Sequence, residues 1–235
     1  MSDPVVDVPT GVTAIVIDIE GTTSATEFVH QRLFPWARQH LESWIAEHGR
    51  EPQVAAQLAE VRREVGAVGM SDRYAVEVLR SWIDQDVKAT PLKAIQGWMW
   101  QEGFESGQLE SHLFDDVAPA LRAWHEAGLR LAIYSSGSVT AQQSWFGHSP
   151  AGDLRSLFTG WFDTDNAGPK REPGSYERIA ALLASPPEEL LFLSDITAEL
   201  DAARIARWHT VGVRRAGEPA WAAGIGQHPE ARRFA

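Results

Sequence analysis

The sequence predicts an α/β fold: a Rossmann-like parallel sheet core with an inserted all-helical cap domain. Three observations lead there. Short apolar runs that end at small or acidic residues recur along the chain, as at Ala14–Ile17 and Leu190–Leu193. Beyond residue 115 such runs alternate with helical patterns, the order that right-handed crossovers wind into a parallel sheet. Between residues 24 and 112 the pattern is helical throughout, which marks that stretch as a domain inserted after the first strand. The expected division is a core of residues 1–23 and 113–235 and a cap of residues 24–112.

Taken in order, Ala14-Ile15-Val16-Ile17 is a continuous apolar run, as a strand covered on both faces requires, and it delivers Asp18 at its C-terminal end. Phe28 to Glu47 carries Phe28, Leu33, Phe34, Ala37, Leu41, Trp44 and Ile45 at helical spacings, with Pro35 to kink it early and Gly49 to stop it. Val54, Leu58, Val61 and Val65 give a second helix, and Ala75, Val78, Leu79, Trp82 and Ile83 a third. Leu92, Ile95 and Met99, after Pro91, give a fourth. Val117, Ala120, Leu121 and Trp124 form the next helical face, ended by Gly128. The strand Leu129–Tyr134 follows, closed by Ser135-Ser136-Gly137-Ser138, then a helix through Ala141–Phe146 and a loop containing Lys170. A helix bearing Tyr176, Ile179, Ala180 and Leu183 leads to the strand Leu190–Leu193, which Ser194-Asp195 ends. A helix around Leu200, Ala203 and Ile205 and a short strand, Thr210–Val213, complete the pattern. A parallel sheet gathers its strand-end loops on one edge, where ligands bind.

Hydrophobic residues make up 44% and charged residues 23% of the chain, the balance of a globular protein and not of a disordered one. No cysteine occurs, which excludes disulfides and thiolate metal sites and suits a cytoplasmic setting. No signal-peptide layout and no long apolar span is present, so no membrane is expected as a partner. The net charge of −11 repels nucleic acid, leaving a small molecule as the expected partner. Lysine is scarce: only Lys88, Lys93 and Lys170. Trp36, Trp44, Trp82, Trp98, Trp100 and Trp124 concentrate between residues 30 and 125. Core packing is their simplest use, and an apolar lid over a ligand the more specific one.

Asp18 and Glu20 leave the first strand two residues apart, on one side. Two like charges held together in a buried setting need either a divalent metal or one protonated carboxyl. Strand ends also supply Ser135, Ser136 and Asp195, and the intervening loop supplies Lys170. Each fits a role in phosphoryl transfer. Asp18 suits a nucleophile whose attack on phosphorus Mg²⁺ and Lys170 assist. Glu20 suits the acid that protonates the departing oxygen and the base that then activates water. Asp195 suits a second metal carboxylate, and Ser135 or Ser136 a phosphate-holding hydroxyl beside backbone N–H groups. His30, His112 and His148 show no metal-binding spacing, and no P-loop or dinucleotide-binding glycine pattern occurs.

In that order, Asp18-Ile19-Glu20-Gly21-Thr22-Thr23, the strand-end serines, the loop lysine and Leu191-Phe192-Leu193-Ser194-Asp195 resemble the haloacid dehalogenase superfamily of aspartate-nucleophile phosphatases. Glutamate as the second acid is similar to the enolase-phosphatases of methionine salvage within it. So are Leu92-Lys93-Ala94-Ile95-Gln96-Gly97-Trp98-Met99-Trp100, Tyr134-Ser135-Ser136-Gly137-Ser138-Val139, Phe146-Gly147-His148-Ser149 and Phe162-Asp163-Thr164. The resemblance implies a monomer that takes a diketo phosphate ester, enolises it and hydrolyses the phosphate, with one Mg²⁺. It places metal ligands at Asp18, Glu20 (through the main-chain carbonyl) and Asp195, and substrate contacts at Ser135, Ser136 and Lys170. Another phosphatase of the superfamily, acting for instance on a sugar phosphate, is the nearest alternative; a non-catalytic phosphate-binding module is a remoter one. Closure of the helical insert over substrate, to exclude water, is a further expectation.

Overall fold

In the computed structural model, which describes residues 3–235, the strands are β1 (Ala14–Ile17), β2 (Arg130–Tyr134), β3 (Phe158–Phe162), β4 (Leu190–Ser194), β5 (His209–Val213) and β6 (Glu230–Ala231). They form one sheet in the order β3-β2-β1-β4-β5-β6, and every pairing is parallel. β1 lies between β2 and β4, with Ile17 opposite both Ile133 and Leu193. All four of its residues are buried, which is why it reads as an unbroken apolar run. Helices α6 (Val117–Glu126), α7 (Val139–Gly147), α8 (Pro173–Leu182) and α9 (Thr197–Ile205) connect the later strands. A core of Val16, Tyr134, Tyr176, Ile179, Phe192, Leu200 and Trp208 fills one side of the sheet.

Two strands differ from expectation. β3 lies within the stretch read as loop, because it is short and carries Gly160 in its interior. A Cβ there would meet the Phe162 ring at 3.0 Å and the Ala132 Cβ at 3.3 Å, so the glycine admits close packing where the pairing with β2 is irregular. β6 has only two residues, too few to show a period.

The chain divides into two compact units, one built from residues up to Phe28 with Glu110–Ala235, the other from Val29–Leu109. The breaks thus fall at 28/29 and 109/110, not at 23/24 and 112/113. Within the larger unit His112 Nδ1 accepts the Ala25 N–H (3.1 Å), its ring stacks on Phe28 (5.3 Å), and Glu218 accepts the Thr26 N–H (3.0 Å).

The smaller unit is helical. The single helix expected from Phe28 is instead a turn, α1 (Thr26–Phe28), followed by a π-helical segment (Val29–Leu33) and then α2 (Phe34–His48). Pro35 in the first turn of α2 has no N–H for the preceding turn, and its ring crowds the carbonyl four residues back; the widened turn accommodates both. Helices α3 (Pro52–Glu64), α4 (Asp72–Asp84) and α5 (Thr90–Glu105) follow, with α2 and α3 each packed on α4 and α5. Leu41, Val54, Leu58, Val61, Leu79, Ile95 and Met99 are fully enclosed. Val76 takes the buried place expected of Val78, and Val65 lies beyond the helix end on the surface. Trp44 donates to Glu102 Oε2 (2.7 Å) and Trp100 to the Leu33 carbonyl (3.1 Å), so packing accounts for both. No helix among the described residues is long and apolar enough to cross a membrane.

Candidate active site

Asp18 follows β1 directly, and its N–H donates to the Leu193 carbonyl of β4 (2.9 Å), so the sheet itself fixes its height. The loop beyond it then folds on itself. The N–H groups of Thr22, Thr23 and Ser24 all point at the Ile19 carbonyl (3.2, 2.9 and 3.0 Å), and Gly21 N–H donates to the Ser24 carbonyl (2.7 Å). Gly21 has φ +73°, and a Cβ there would stand 2.1 Å from Asp195 Oδ2. Only glycine meets both demands. Thr22, fully buried, joins the two acids: its hydroxyl donates to Asp18 Oδ2 (3.3 Å) and accepts the Asp195 N–H (3.0 Å).

Lys170 sits in the turn before α8, and the carbonyls of residues 167–170 are each held. Arg178 donates to Ala167 O (2.7 Å), Tyr134 to Gly168 O (2.7 Å), Ser175 to Pro169 O (2.8 Å) and Tyr176 to Lys170 O (2.8 Å). The loop therefore has a fixed path, and it brings the ammonium to 2.6 Å from Asp18 Oδ1. The same Nζ lies 2.6 Å from Glu199 Oε2 and near the rings of Tyr134 (5.7 Å) and Phe192 (5.9 Å).

Glu199 is a site member that the sequence pattern had not singled out. It stands in the first turn of α9, four residues past Asp195, and the Ser194 hydroxyl also donates to it (2.9 Å). No local pattern marks it, since an acid in the first turn of a helix has an ordinary use beside the helix dipole.

Three buried carboxylates, Asp18, Asp195 and Glu199, thus share one ammonium, which pairs directly with Asp18 and Glu199. Burial, reinforced by the charge on Asp18, pushes the Asp195 carboxyl up to about 8. Burial pushes Glu199 up as well, against the pull of Lys170. Burial opposes the charge on Lys170, but Asp18 and Glu199 outweigh it and hold its pKa above the ordinary lysine value. The cluster is short of positive charge, and Asp195 Oδ1 is buried with no hydrogen-bond partner. An orphaned carboxylate oxygen beside a second carboxylate is the chemistry a hard divalent cation takes up. No group of three or more acidic or imidazole side chains among the described residues is placed to hold a metal ion, so any ion here relies on fewer side chains. Two carboxylates and a main-chain carbonyl suit Mg²⁺, which keeps several of its waters.

The other sequence-derived residues reach the same edge with different exposure. Glu20 is half-buried and pairs with Ser24 in an isolated bridge. Ser135 and Ser136 follow β2, the strand beside β1. Ser135 is buried, its N–H donating to Phe162 O (3.1 Å) and its hydroxyl accepting the Gly137 N–H (3.3 Å). Ser136 is exposed. Gln142 braces this turn by donating to the carbonyls of Gly137 and Phe162 (both 2.8 Å). Asp18 and Lys170 are in direct contact and Asp195 joins them through the Thr22 hydroxyl, whereas the serines share the edge without joining that network.

Known proteins share this architecture. The haloacid dehalogenase-like hydrolase family matches residues 12–207. Enolase-phosphatase E1 of Streptomyces avermitilis is 52% identical over 221 residues, covering 94% of this chain and 92% of its own. Enolase-phosphatase E1 of Pseudomonas aeruginosa strain UCBPP-PA14 is 50% identical over 222 residues, covering 94% and 96%. Among solved structures, the UTR4 protein of Saccharomyces cerevisiae has a TM-score of 0.78 at 30% identity, covering 95% of this chain and 98% of its own. CbbY of Rhodobacter sphaeroides, at 18% identity and a TM-score of 0.61 over 95% of each chain, shares the fold.

Proposed function

We propose, on the premise that this chain belongs to the haloacid dehalogenase-like hydrolases and within them to the enolase-phosphatase E1 family, that it converts 2,3-diketo-5-methylthiopentyl-1-phosphate to the acireductone 1,2-dihydroxy-3-keto-5-methylthiopentene and inorganic phosphate. One observation carries the chemistry. The Asp18 carboxylate is gripped at both oxygens, by Lys170 and by Thr22, beside an Asp195 oxygen that has no partner.

Asp18 is the nucleophile in this reading. Its carboxylate attacks the phosphorus, the ester oxygen departs with a proton, and an aspartyl phosphate remains on Asp18. Water then attacks that phosphorus, releasing inorganic phosphate and restoring the carboxylate. Glu20 gives the proton in the first half and takes one from water in the second. Lys170, charged in the resting site because Asp18 and Glu199 face it, offsets negative charge on the phosphoryl oxygens. Ser135 and Ser136, with the backbone N–H groups of their turn, hold the phosphate. Enolisation comes first: a proton leaves the carbon bearing the phosphate, Glu20 being the base we assign, and Lys170 stabilises the enediolate oxygen. Asp18, Asp195 and the Glu20 carbonyl would hold Mg²⁺, which when bound polarises the phosphoryl group toward attack.

Purified protein incubated with Mg²⁺ and the diketo phosphate is expected to release inorganic phosphate in step with the appearance of acireductone absorbance. Sugar phosphates in the same assay should be turned over far more slowly. Phosphate release without enol formation, or a preference for a sugar phosphate, would replace the proposed substrate while leaving the phosphoryl chemistry in place.

A further inference from the structure

We propose that Arg215 is a positioning residue for the catalytic loop, fixing the Thr22 backbone so that its hydroxyl can aim Asp18 and Asp195; this rests on the assignment of Asp18 as nucleophile. Arg215 lies just past β5, and its side chain is only 5% exposed. Its Nε donates to the Thr22 carbonyl (3.0 Å). Its Nη1 donates to both oxygens of Asp116 (2.8 and 2.9 Å) and to the Arg232 carbonyl (3.1 Å). The guanidinium lies against the rings of Phe114 (4.6 Å) and Phe234 (5.0 Å). Asp116 Oδ2 in turn accepts the Phe234 N–H (2.6 Å), so the C-terminal segment closes the box around the arginine.

Stability alone does not call for this arrangement. A buried ion pair is often matched or exceeded by apolar side chains of the same volume, because removing two charges from water offsets their attraction. A guanidinium provides something that apolar packing does not: a rigid planar fork that fixes a carbonyl and a carboxylate in one geometry. The carbonyl it fixes belongs to Thr22. The hydroxyl of that residue donates to Asp18 Oδ2 and accepts the Asp195 N–H, so the backbone angle at Thr22 sets the direction of the nucleophile and the height of the second acid. Phe114 N–H, bonded to the Thr23 carbonyl (3.0 Å), ties the same loop to the same box.

The test is R215K, which keeps the charge opposite Asp116 and loses the fork, with R215M/D116N as a neutral companion in case the lysine variant does not fold. For a variant that melts as a folded protein, kcat for the phosphate ester is expected to fall about tenfold or more, since small misplacements of reacting groups are costly. KM is expected to stay within about twofold, because the groups that hold substrate are untouched. Binding of fluoroberyllate to Asp18, followed by ¹⁹F NMR, should weaken in parallel. Folded variants with wild-type kcat and fluoroberyllate affinity would overturn the proposal, as would failure of both variants to fold, which would make Arg215 a stability residue. Wild-type protein that binds fluoroberyllate but leaves the diketo phosphate intact would refute the substrate assignment, and the fluoroberyllate comparison would still decide the role of Arg215.

Discussion

Asp18→Asn is expected to reduce kcat by about 10⁴-fold or more, the loss seen when a covalent nucleophile is removed, without loosening the fold. Asparagine is nearly isosteric, and its carbonyl oxygen can still accept from Lys170 or Thr22, which hold the two aspartate oxygens at 2.6 and 3.3 Å. The amide cannot form the bond to phosphorus. The substitution also removes one of three carboxylates crowded around a single ammonium. Asp195 and Glu199, both held protonated more readily by burial and by the charge of Asp18, should relax toward ordinary carboxylate behaviour. A thermal melt without metal should therefore show the variant at least as stable as the parent. Retention of more than about one part in a hundred of kcat would remove Asp18 from the bond-making step.

Lys170→Met is expected to damage both activity and stability, and the two effects should separate. The ammonium lies between Asp18 and Glu199, with side-chain exposures of 9%, 6% and 11% for the three groups. Removing it strands two buried carboxylates, a loss of about 3–5 kcal/mol when one partner of a buried pair is deleted. The loss of its charge at the phosphoryl group should lower kcat by about 10²–10³-fold. Adding Glu199→Gln takes away one stranded charge. The double variant should regain much of the stability, measured by denaturant unfolding, and none of the activity. Recovery of activity along with stability would mean that Lys170 serves only to neutralise Glu199.

Why some of this was legible in the sequence and some was not follows from the range of the interactions. Asp18 announced itself because a fully buried central strand must be apolar to its end, so an acid at that end followed by Gly21 marks a change of environment. Asp195 did so for the same reason after β4. The helices of the insert were visible as periodicity, since each buries one face against its neighbours. β3 was not visible: in Phe158-Thr159-Gly160-Trp161-Phe162 the glycine is chosen by contact with Ala132 and the Phe162 ring, and a contact of that kind leaves no local pattern. The π-helical turn before Pro35 was hidden likewise, since periodicity shows where a helix lies and not how its hydrogen bonds close.

Lys170 stood out by the scarcity of lysine and by resemblance, but the four side chains that pin its loop come from α8 and β2 and could be found only in three dimensions. Glu199 and Arg215 carry no such local signal, being a helix-first-turn acid and a residue just after a strand. Their significance lies in partners distant along the chain, Lys170 for one and Thr22 with Asp116 for the other.

The claim that everything else depends on is a covalent phosphoryl group on Asp18, and rapid quenching tests it most directly. Protein mixed with Mg²⁺ and the diketo phosphate, stopped in acid during turnover and digested, should yield the peptide containing Asp18 carrying the mass of one phosphoryl group. That species should form and decay at least as fast as kcat and be missing from Asp18→Asn. Steady turnover with the peptide unmodified throughout, or with the phosphoryl group on another residue, would contradict the account.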